Sequence, residues 1–141
     1  MTPPTAQYPF VEVDPAVGAA SRMPYLPLTL SSGQQSVPVS GLLDTGATIN
    51  VLPHSVGVQL GAVWEQQTTP VRLTGNMAGV EARVLVVMAV IGSFAPVRLA
   101  FAWAVADGMP VILGQVNFFM EFDVCFYRAR SVFEIRPNLQ P

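Results

Sequence analysis

The chain has 141 residues, the length of one ordinary domain; 51% of them are hydrophobic and 11% are charged. Charged residues make up about a quarter of a typical soluble chain, so this composition excludes a largely disordered protein. Seven arginines, no lysine and nine acidic residues give a formal net charge of −2, which argues against a protein held to nucleic acid by phosphate contacts.

The first 22 residues are rich in proline and alanine, which predicts an N-terminal arm or leader before a domain at residues 23–141. This segment contains an apolar patch at residues 8–13. The patch is compatible with two interpretations, a part of the arm or an edge strand. The domain then begins with two apolar runs, residues 25–30 and 37–43, on either side of a polar turn. This pattern predicts a β-hairpin.

The remaining apolar runs predict further strands and two short helices, and therefore a mainly β fold. In chain order the predicted strands are residues 49–52, 71–73, 80–90, 97–105, 111–113, 122–126 and 131–135. The first predicted helix begins at His54 or Ser55 and ends at Leu60. The second spans residues 115–121. A loop rich in glycine separates the predicted strands at residues 71–73 and 80–90, and it favours a flexible hairpin. Its residues are Thr74, Gly75, Asn76, Met77, Ala78 and Gly79.

A single histidine and a single cysteine limit the other kinds of site. His54 and Cys125 argue against a zinc site, and we predict neither a metal nor a cofactor. We expect His54 at the surface or as a cap, and Cys125 buried or half-buried in a strand. The uncharged run between Arg83 and Arg98 is shorter than the about 20 residues of a membrane span. With no evident signal peptide, these features predict a cytoplasmic protein without a membrane span.

The segment Asp44-Thr45-Gly46-Ala47 carries the clearest chemistry. Its carboxylate follows two leucines and precedes small residues, although a buried aspartate is rare unless it is paired or functional. Gly46 lets backbone amides face that carboxylate, and Thr45 supplies a hydroxyl that can lock the loop. An aspartate that caps a turn at a strand end is the other interpretation.

Residues 42–53 read Leu-Leu-Asp-Thr-Gly-Ala-Thr-Ile-Asn-Val-Leu-Pro and resemble the active-site segment of aspartic proteases. Val111, Ile112, Leu113 and Gly114, followed by a predicted short helix, resemble the second element of that family. Over residues 24–136 the chain is most similar to the retropepsin-like branch. The resemblance implies a closed β-barrel with one or two short helices, and a flap hairpin at residues 74–79.

The number of motifs decides the assembly. Aspartic proteases use two carboxylates around one water, whereas Asp-Thr-Gly occurs once here. The resemblance therefore implies a homodimer in which a two-fold axis brings two Asp44 residues together, and the apolar composition agrees with a covered interface. It implies hydrolysis of an extended peptide or protein substrate by general acid–base catalysis. Thr45 would bond across the axis, Gly46 would line the substrate floor, and Ala47 would stand where pepsin-type enzymes carry serine.

The chain departs from the retroviral pattern beside the motif. Retroviral enzymes commonly pair an arginine after the second-element glycine with an acid after the catalytic motif, but here Gln115 follows Gly114 and Thr48 follows Ala47. We expect either neutral hydrogen bonds from Gln115, Asn117 or Asn50, or a looser dimer. A catalytically weak module for dimerisation or peptide binding is the alternative function. A small β-barrel ligand binder would explain the composition but not the two motifs.

Overall fold

The structure, a computed structural model, describes residues 4–138, and this part of the chain forms twelve strands and two short helices. The strands are β1 (Ala6–Pro9), β2 (Val11–Glu12), β3 (Arg22–Met23), β4 (Tyr25–Ser32), β5 (Gln35–Leu43), β6 (Asn50–Leu52), β7 (Pro70–Arg72), β8 (Glu81–Val90), β9 (Val97–Ala104), β10 (Val111–Leu113), β11 (Phe122–Tyr127) and β12 (Val132–Pro137). The helices are α1 (His54–Gln59) and α2 (Phe118–Glu121). The predicted mainly β fold is confirmed.

Six strands close into a barrel in the order β4-β5-β10-β6-β9-β8, and β7 extends the sheet beyond β8. Antiparallel pairing of β4 with β8 closes the ring, with Thr29 opposite Val90 and Ser31 opposite Met88. Two pairings in the ring are parallel, β10 with β5 and β6 with β9. The expected closed barrel with two short helices is therefore present.

The barrel interior is filled by side chains that point inward at alternate positions of each strand. In β4, for example, Leu26 and Leu30 are fully buried. Trp103 of β9 is also fully buried, and its Nε1 donates a hydrogen bond of 3.0 Å to the carbonyl of His54. Gly57 of α1 lies against the same indole, where a Cβ would overlap the ring. Trp103 thereby fixes α1 on the barrel.

The segment predicted as an N-terminal arm contributes strands of its own. β1 pairs with β12 in a second sheet of order β1-β12-β11, so that Ala6 lies opposite Ile135. The ring of Tyr8 stacks on Phe133 at a centroid distance of 5.7 Å. Burial raises the pKa of the Tyr8 hydroxyl above its ordinary value. The edge-strand interpretation therefore describes the first part of this stretch, whereas β2 pairs with β3 in a separate two-stranded sheet.

The second helix is shorter than the sequence predicts. It spans Phe118–Glu121, whereas the prediction began at Gln115. The backbone amides of Gln115 and Val116 donate instead to the carbonyls of Ala47 and Thr48, at 2.9 and 3.0 Å. These bonds extend the β ladder past Gly114 and delay the helix. Within residues 4–138, no helix is long and apolar enough to cross a membrane.

Two single residues lie elsewhere than expected. His54 is half-buried rather than at the surface, and its ring stacks on Trp103 at a centroid distance of 5.3 Å with 8° between the planes. Cys125 is exposed rather than buried. Its neighbour Val124 takes the core-facing side of β11, and alternate residues of a strand point to opposite faces.

Candidate active site

Asp44 stands at the end of β5, where the chain leaves the barrel. Its backbone amide donates to the carbonyl of Leu113 at 3.0 Å, which continues the parallel pairing of β5 with β10 by one bond. The amide of Ala47 donates to the carbonyl of Asp44 at 3.1 Å and closes a tight turn. The position of Asp44 is therefore set by two barrel strands and a hydrogen-bonded turn.

The backbone amide of Gly46 orients the Asp44 carboxylate. It donates a hydrogen bond of 2.9 Å to Oδ1 of Asp44, in the geometry expected from the sequence. Asp44 is half-buried and makes no ion pair within residues 4–138. Thr45 is exposed, and its hydroxyl forms no hydrogen bond in the same part of the chain. The loop therefore presents a half-buried carboxylate and an exposed hydroxyl that has no partner among the described residues.

The second element lies directly beside this loop. Ile112 of β10 stands opposite Leu42 of β5 on one side and Val51 of β6 on the other. Gly114 follows, where a Cβ would lie 2.5 Å from the carbonyl oxygen of Ile49 and 2.8 Å from that of Ala47. Only glycine permits this close backbone approach. The structure thus brings Asp44, Ile112, Leu113 and Gly114 together at one end of the barrel.

A buried amide side chain ties the two motifs to each other. Asn50 is the one fully buried polar residue among those described, and its Oδ1 accepts a hydrogen bond of 2.8 Å from the amide of Gly114. Its Nδ2 donates to the carbonyl of Ala100 at 3.0 Å and to Oδ1 of Asn117 at 3.1 Å. Every hydrogen-bonding atom of this amide thereby has a partner, as burial of a polar group requires.

Asn117 and Gln115 extend the same support. Oδ1 of Asn117 also accepts from the amide of Ala100 at 3.0 Å, and its Nδ2 donates to the carbonyl of Arg98 at 2.9 Å. Nε2 of Gln115 donates to the carbonyl of Thr45 at 2.8 Å. The expected neutral hydrogen bonds are confirmed, and all three candidate amides take part.

A cleft of about 280 Å³ opens beside Asp44. One wall is the turn that contains Gly46, Ala47 and Thr48, and a second wall is apolar, with Ile49, Val51 and Ile112. Residues 72–77 also line the cleft, so part of the loop predicted as a flap borders the same cleft as the aspartate. Its tip, Gly75–Met77, is a single 3₁₀ turn.

The loop residues divide between two sides. Thr74, Gly75, Asn76 and Met77 line the cleft, whereas Ala78 and Gly79 line a separate hollow beside β7. Sequence reasoning did not single out Arg72 and Leu73, which also line the cleft. Their place immediately before the glycine-rich loop was the one available signal. Among the described residues, no group of three or more His, Cys, Asp or Glu side chains could hold a metal ion.

The six-stranded barrel, the Asp44 turn and the adjoining second element define a retropepsin-like fold. The structure is similar to that of a retropepsin-like aspartic protease from Rickettsia conorii, with a TM-score of 0.65 and 13% identity, over 96% of this chain and 94% of the other. It is also similar to EIAV protease complexed with the inhibitor HBY-793, with a TM-score of 0.52 and 22% identity, over 70% of this chain and 86% of the other. No protein-family model and no curated protein matches the chain.

Proposed function

We propose that the protein is an aspartic endopeptidase that acts as a homodimer on extended peptide or protein substrates. One observation carries this proposal: in a retropepsin-like barrel, the Asp44 carboxylate stands at the end of β5, held by the Gly46 amide, and faces a cleft. The two proteins of similar structure are proteases, which supports a hydrolase function for this chain. The single Asp-Thr-Gly requires a second chain, because the chemistry needs two carboxylates.

The proposed reaction is hydrolysis of a peptide bond by water, which is activated by two carboxylates that share one proton. Two Asp44 carboxylates close together hold one proton between them, because both cannot ionise at short range. The ionised carboxylate takes a proton from a water molecule, and the water oxygen attacks the scissile carbonyl carbon. The protonated carboxyl donates its proton to the carbonyl oxygen, which gives a tetrahedral diol. As the C–N bond breaks, the carboxyl that took the water's proton passes it to the leaving amine, and a diol hydroxyl returns a proton to the other carboxylate. No cofactor or metal takes part in this scheme.

The loop residues have separate parts in the proposal. The hydroxyl of Thr45 is free within the described chain, and we assign it a hydrogen bond across the two-fold axis to the partner's loop. Gly46 forms the floor of the cleft, on which the substrate lies, and Ala47 and Ile112 form apolar walls of the cleft. Residues 74–77 act as the flap, which closes over substrate and excludes water.

The test is peptide cleavage by the purified full-length chain and by its Asp44→Asn variant. We expect the wild type to cleave peptides from a randomised library and Asp44→Asn to be inactive. Asp14→Asn is the matched control, because Asp14 lies in the N-terminal segment and its Oδ1 accepts from the Ala16 amide, a role that an asparagine carbonyl can keep. Equal cleavage by wild type and Asp44→Asn would remove the proposal.

The alternative, a binding module with the same fold, makes a different prediction. Such a module would bind peptide at the cleft with the same affinity whether residue 44 is Asp or Asn, and would release no products. The neutral amide support around Gly114 is compatible with either function, but a binding module has no need for the half-buried carboxylate of Asp44 beside the cleft. Product analysis by mass spectrometry separates the two.

A further inference from the structure

Arg72 is the one basic side chain among the described residues that line the candidate cleft. It is the last residue of β7, it is exposed, and it lines the same cleft as the Asp44 turn. Among the residues that line the cleft, Asp44 is the other charged group. A guanidinium here therefore adds a positive charge to a site whose remaining walls are neutral.

Arg72 has no acidic partner in the described part of the chain. Its cross-strand neighbour is Glu81 of β8, the nearest candidate by register. Glu81 instead lies 3.7 Å, Oε1 to Nη2, from Arg83, which itself stacks over the ring of Trp64 at 4.4 Å. Arg72 also lines the hollow beside β7, and none of its five N–H donors has a hydrogen-bond or ionic partner among the described residues, so they are available to a ligand in the cleft.

The rest of the cleft is suited to apolar side chains. Ile49, Val51, Leu73, Met77 and Ile112 supply its apolar surface. A peptide that fits it places apolar residues against these walls and one further residue within reach of Arg72. Carboxylates are the peptide side chains that a guanidinium recognises best, since the two groups form paired, charge-assisted hydrogen bonds.

We propose that Arg72 is a specificity-determining residue, which selects substrates with Asp or Glu at a position that flanks the apolar residues around the scissile bond. This inference rests on the proposed function. In a two-fold dimer each half of the cleft carries its own Arg72. The preference for an acidic residue then appears on both sides of the scissile bond, at positions equally distant from it.

The inference is tested first by binding, without catalysis. Asp44→Asn protein captures peptides from a library of randomised decapeptides, and sequencing gives the enrichment of Asp and Glu over Asn and Gln at each position. We expect about three- to tenfold enrichment, which falls when salt is raised, because the charges are solvent-accessible. In the Asp44→Asn, Arg72→Gln double variant the enrichment disappears, and with Arg72→Glu it passes to Lys and Arg.

Arg98→Gln in the same background is the control, because it removes an equal charge from an exposed strand residue outside the cleft lining. It should keep the acidic enrichment. Thermal unfolding of each variant shows whether the fold is intact, which we expect because Arg72 is exposed. An acidic enrichment that persists in Arg72→Gln, or a library from which nothing is retained, overturns the inference.

Cleavage by the wild type separates this inference from the proposed function. If wild type cleaves the library and Arg72→Gln cleaves it with an unchanged acidic preference, the endopeptidase proposal stands and the role of Arg72 is wrong. If peptides are captured with an Arg72-dependent acidic preference but none is cleaved, the endopeptidase proposal is wrong and Arg72 selects ligands for a binding module.

Discussion

The side-chain amide of Gln115 donates a 2.8 Å hydrogen bond to the carbonyl of Thr45, the residue directly after Asp44. The backbone amide of Gln115 also donates to the carbonyl of Ala47 at 2.9 Å, so one residue holds both ends of the loop. The bond is neutral and exposed, unlike the ion pair expected at this place in retroviral enzymes. The geometry of the Asp44 loop thus depends on an amide donor that a single substitution removes.

Gln115→Glu should lower kcat/KM with little change in stability. A glutamate replaces the donor with a carboxylate that repels the Thr45 carbonyl, and a shift of the loop misplaces Asp44. We expect kcat/KM to fall about ten- to a hundredfold, since small misplacements of reacting groups cost this much. Gln59→Glu in α1 is the matched control, because Gln59 is exposed and away from the cleft. Unchanged kinetics in Gln115→Glu would contradict a positioning role.

Asn50→Ala should destabilise the fold itself. It leaves the Gly114 amide without its acceptor and removes the donor to the Ala100 carbonyl, both in a buried environment. Unsatisfied buried polar groups predict a loss of about 2–4 kcal/mol in the free energy of unfolding. Urea unfolding measures it. Asn76→Ala, in an exposed loop position, should change the same free energy by less than about 0.5 kcal/mol.

Gly114→Ala and Gly41→Ala compare two losses in the free energy of unfolding. In the first variant the new Cβ meets backbone atoms, and in the second it meets a side chain. A Cβ at Gly114 would meet the carbonyl oxygens of Ile49 and Ala47, which are fixed by the loop. A Cβ at Gly41 would meet the buried side chain of Leu113, with Cδ1 at 2.6 Å and Cγ at 2.8 Å, so the core must shift to make room but no backbone atom is struck. We expect Gly114→Ala to lose more than about 3 kcal/mol or fail to fold, and Gly41→Ala to lose about 1–3 kcal/mol. The reverse order in urea unfolding would show that the second element tolerates a side chain.

Asp107 should make stability depend on pH. Its Oδ1 accepts hydrogen bonds from the amide of Ser55 at 3.0 Å and from the hydroxyl of Ser55 at 2.8 Å. These two bonds, with a smaller attraction to His54, lower the pKa of the Asp107 carboxyl below its ordinary value. The stabilisation is therefore complete above the ordinary pKa of about 3.9 and is lost as pH falls through the lower folded value.

Asp107→Ala should accordingly lower Tm at neutral pH, and the difference from wild type should shrink in strongly acidic solution. Asp107→Asn keeps a carbonyl acceptor without the charge, so its Tm should lie between the two at neutral pH. Thermal unfolding between neutral pH and about pH 2 measures both. A Tm difference that is constant over this range would show that the Ser55 bonds do not favour the ionised form.

Local sequence was enough to single out the Asp44 loop and the second element, because each is a short motif in which particular positions require particular residues. Asp44, Gly46 and Gly114 are examples, since each position has a stated chemical or steric requirement. Patterns of alternation likewise predicted the barrel strands. The remaining features depend on contacts between distant segments: β1 pairs with β12, so that Ala6 meets Ile135 at the far end of the chain.

Two features of the site could not be read from the sequence alone. Asn50 and Asn117 were each expected to supply neutral hydrogen bonds, but their bond to each other and their shared partner Ala100 follow from the parallel pairing of β6 with β9, which has no local signal. Arg72 lines the cleft because β7 ends beside the loop that borders the same cleft as Asp44. The second helix was overestimated because the β ladder continues through Val116, and helical periodicity does not reveal that competition.

Dependence on a second chain also predicts the response to dilution. Activity per unit of protein should fall as the concentration passes below the dimer dissociation constant, because a monomer holds one carboxylate of the pair. Initial rates over a dilution series, with sedimentation velocity on the same samples, make the comparison. Activity that stays proportional to protein concentration after the dimer has dissociated would rule out a shared pair.

The most direct test of the shared pair mixes wild type with Asp44→Asn at constant total concentration, above the dimer dissociation constant and after subunit exchange. If each catalytic centre takes one Asp44 from each chain, mixed dimers are inactive and the rate falls with the square of the wild-type fraction. An equal mixture then retains about a quarter of the wild-type rate. If each chain acts alone, the rate falls linearly and the equal mixture retains about half, which would contradict a catalytic centre built from two Asp44 residues.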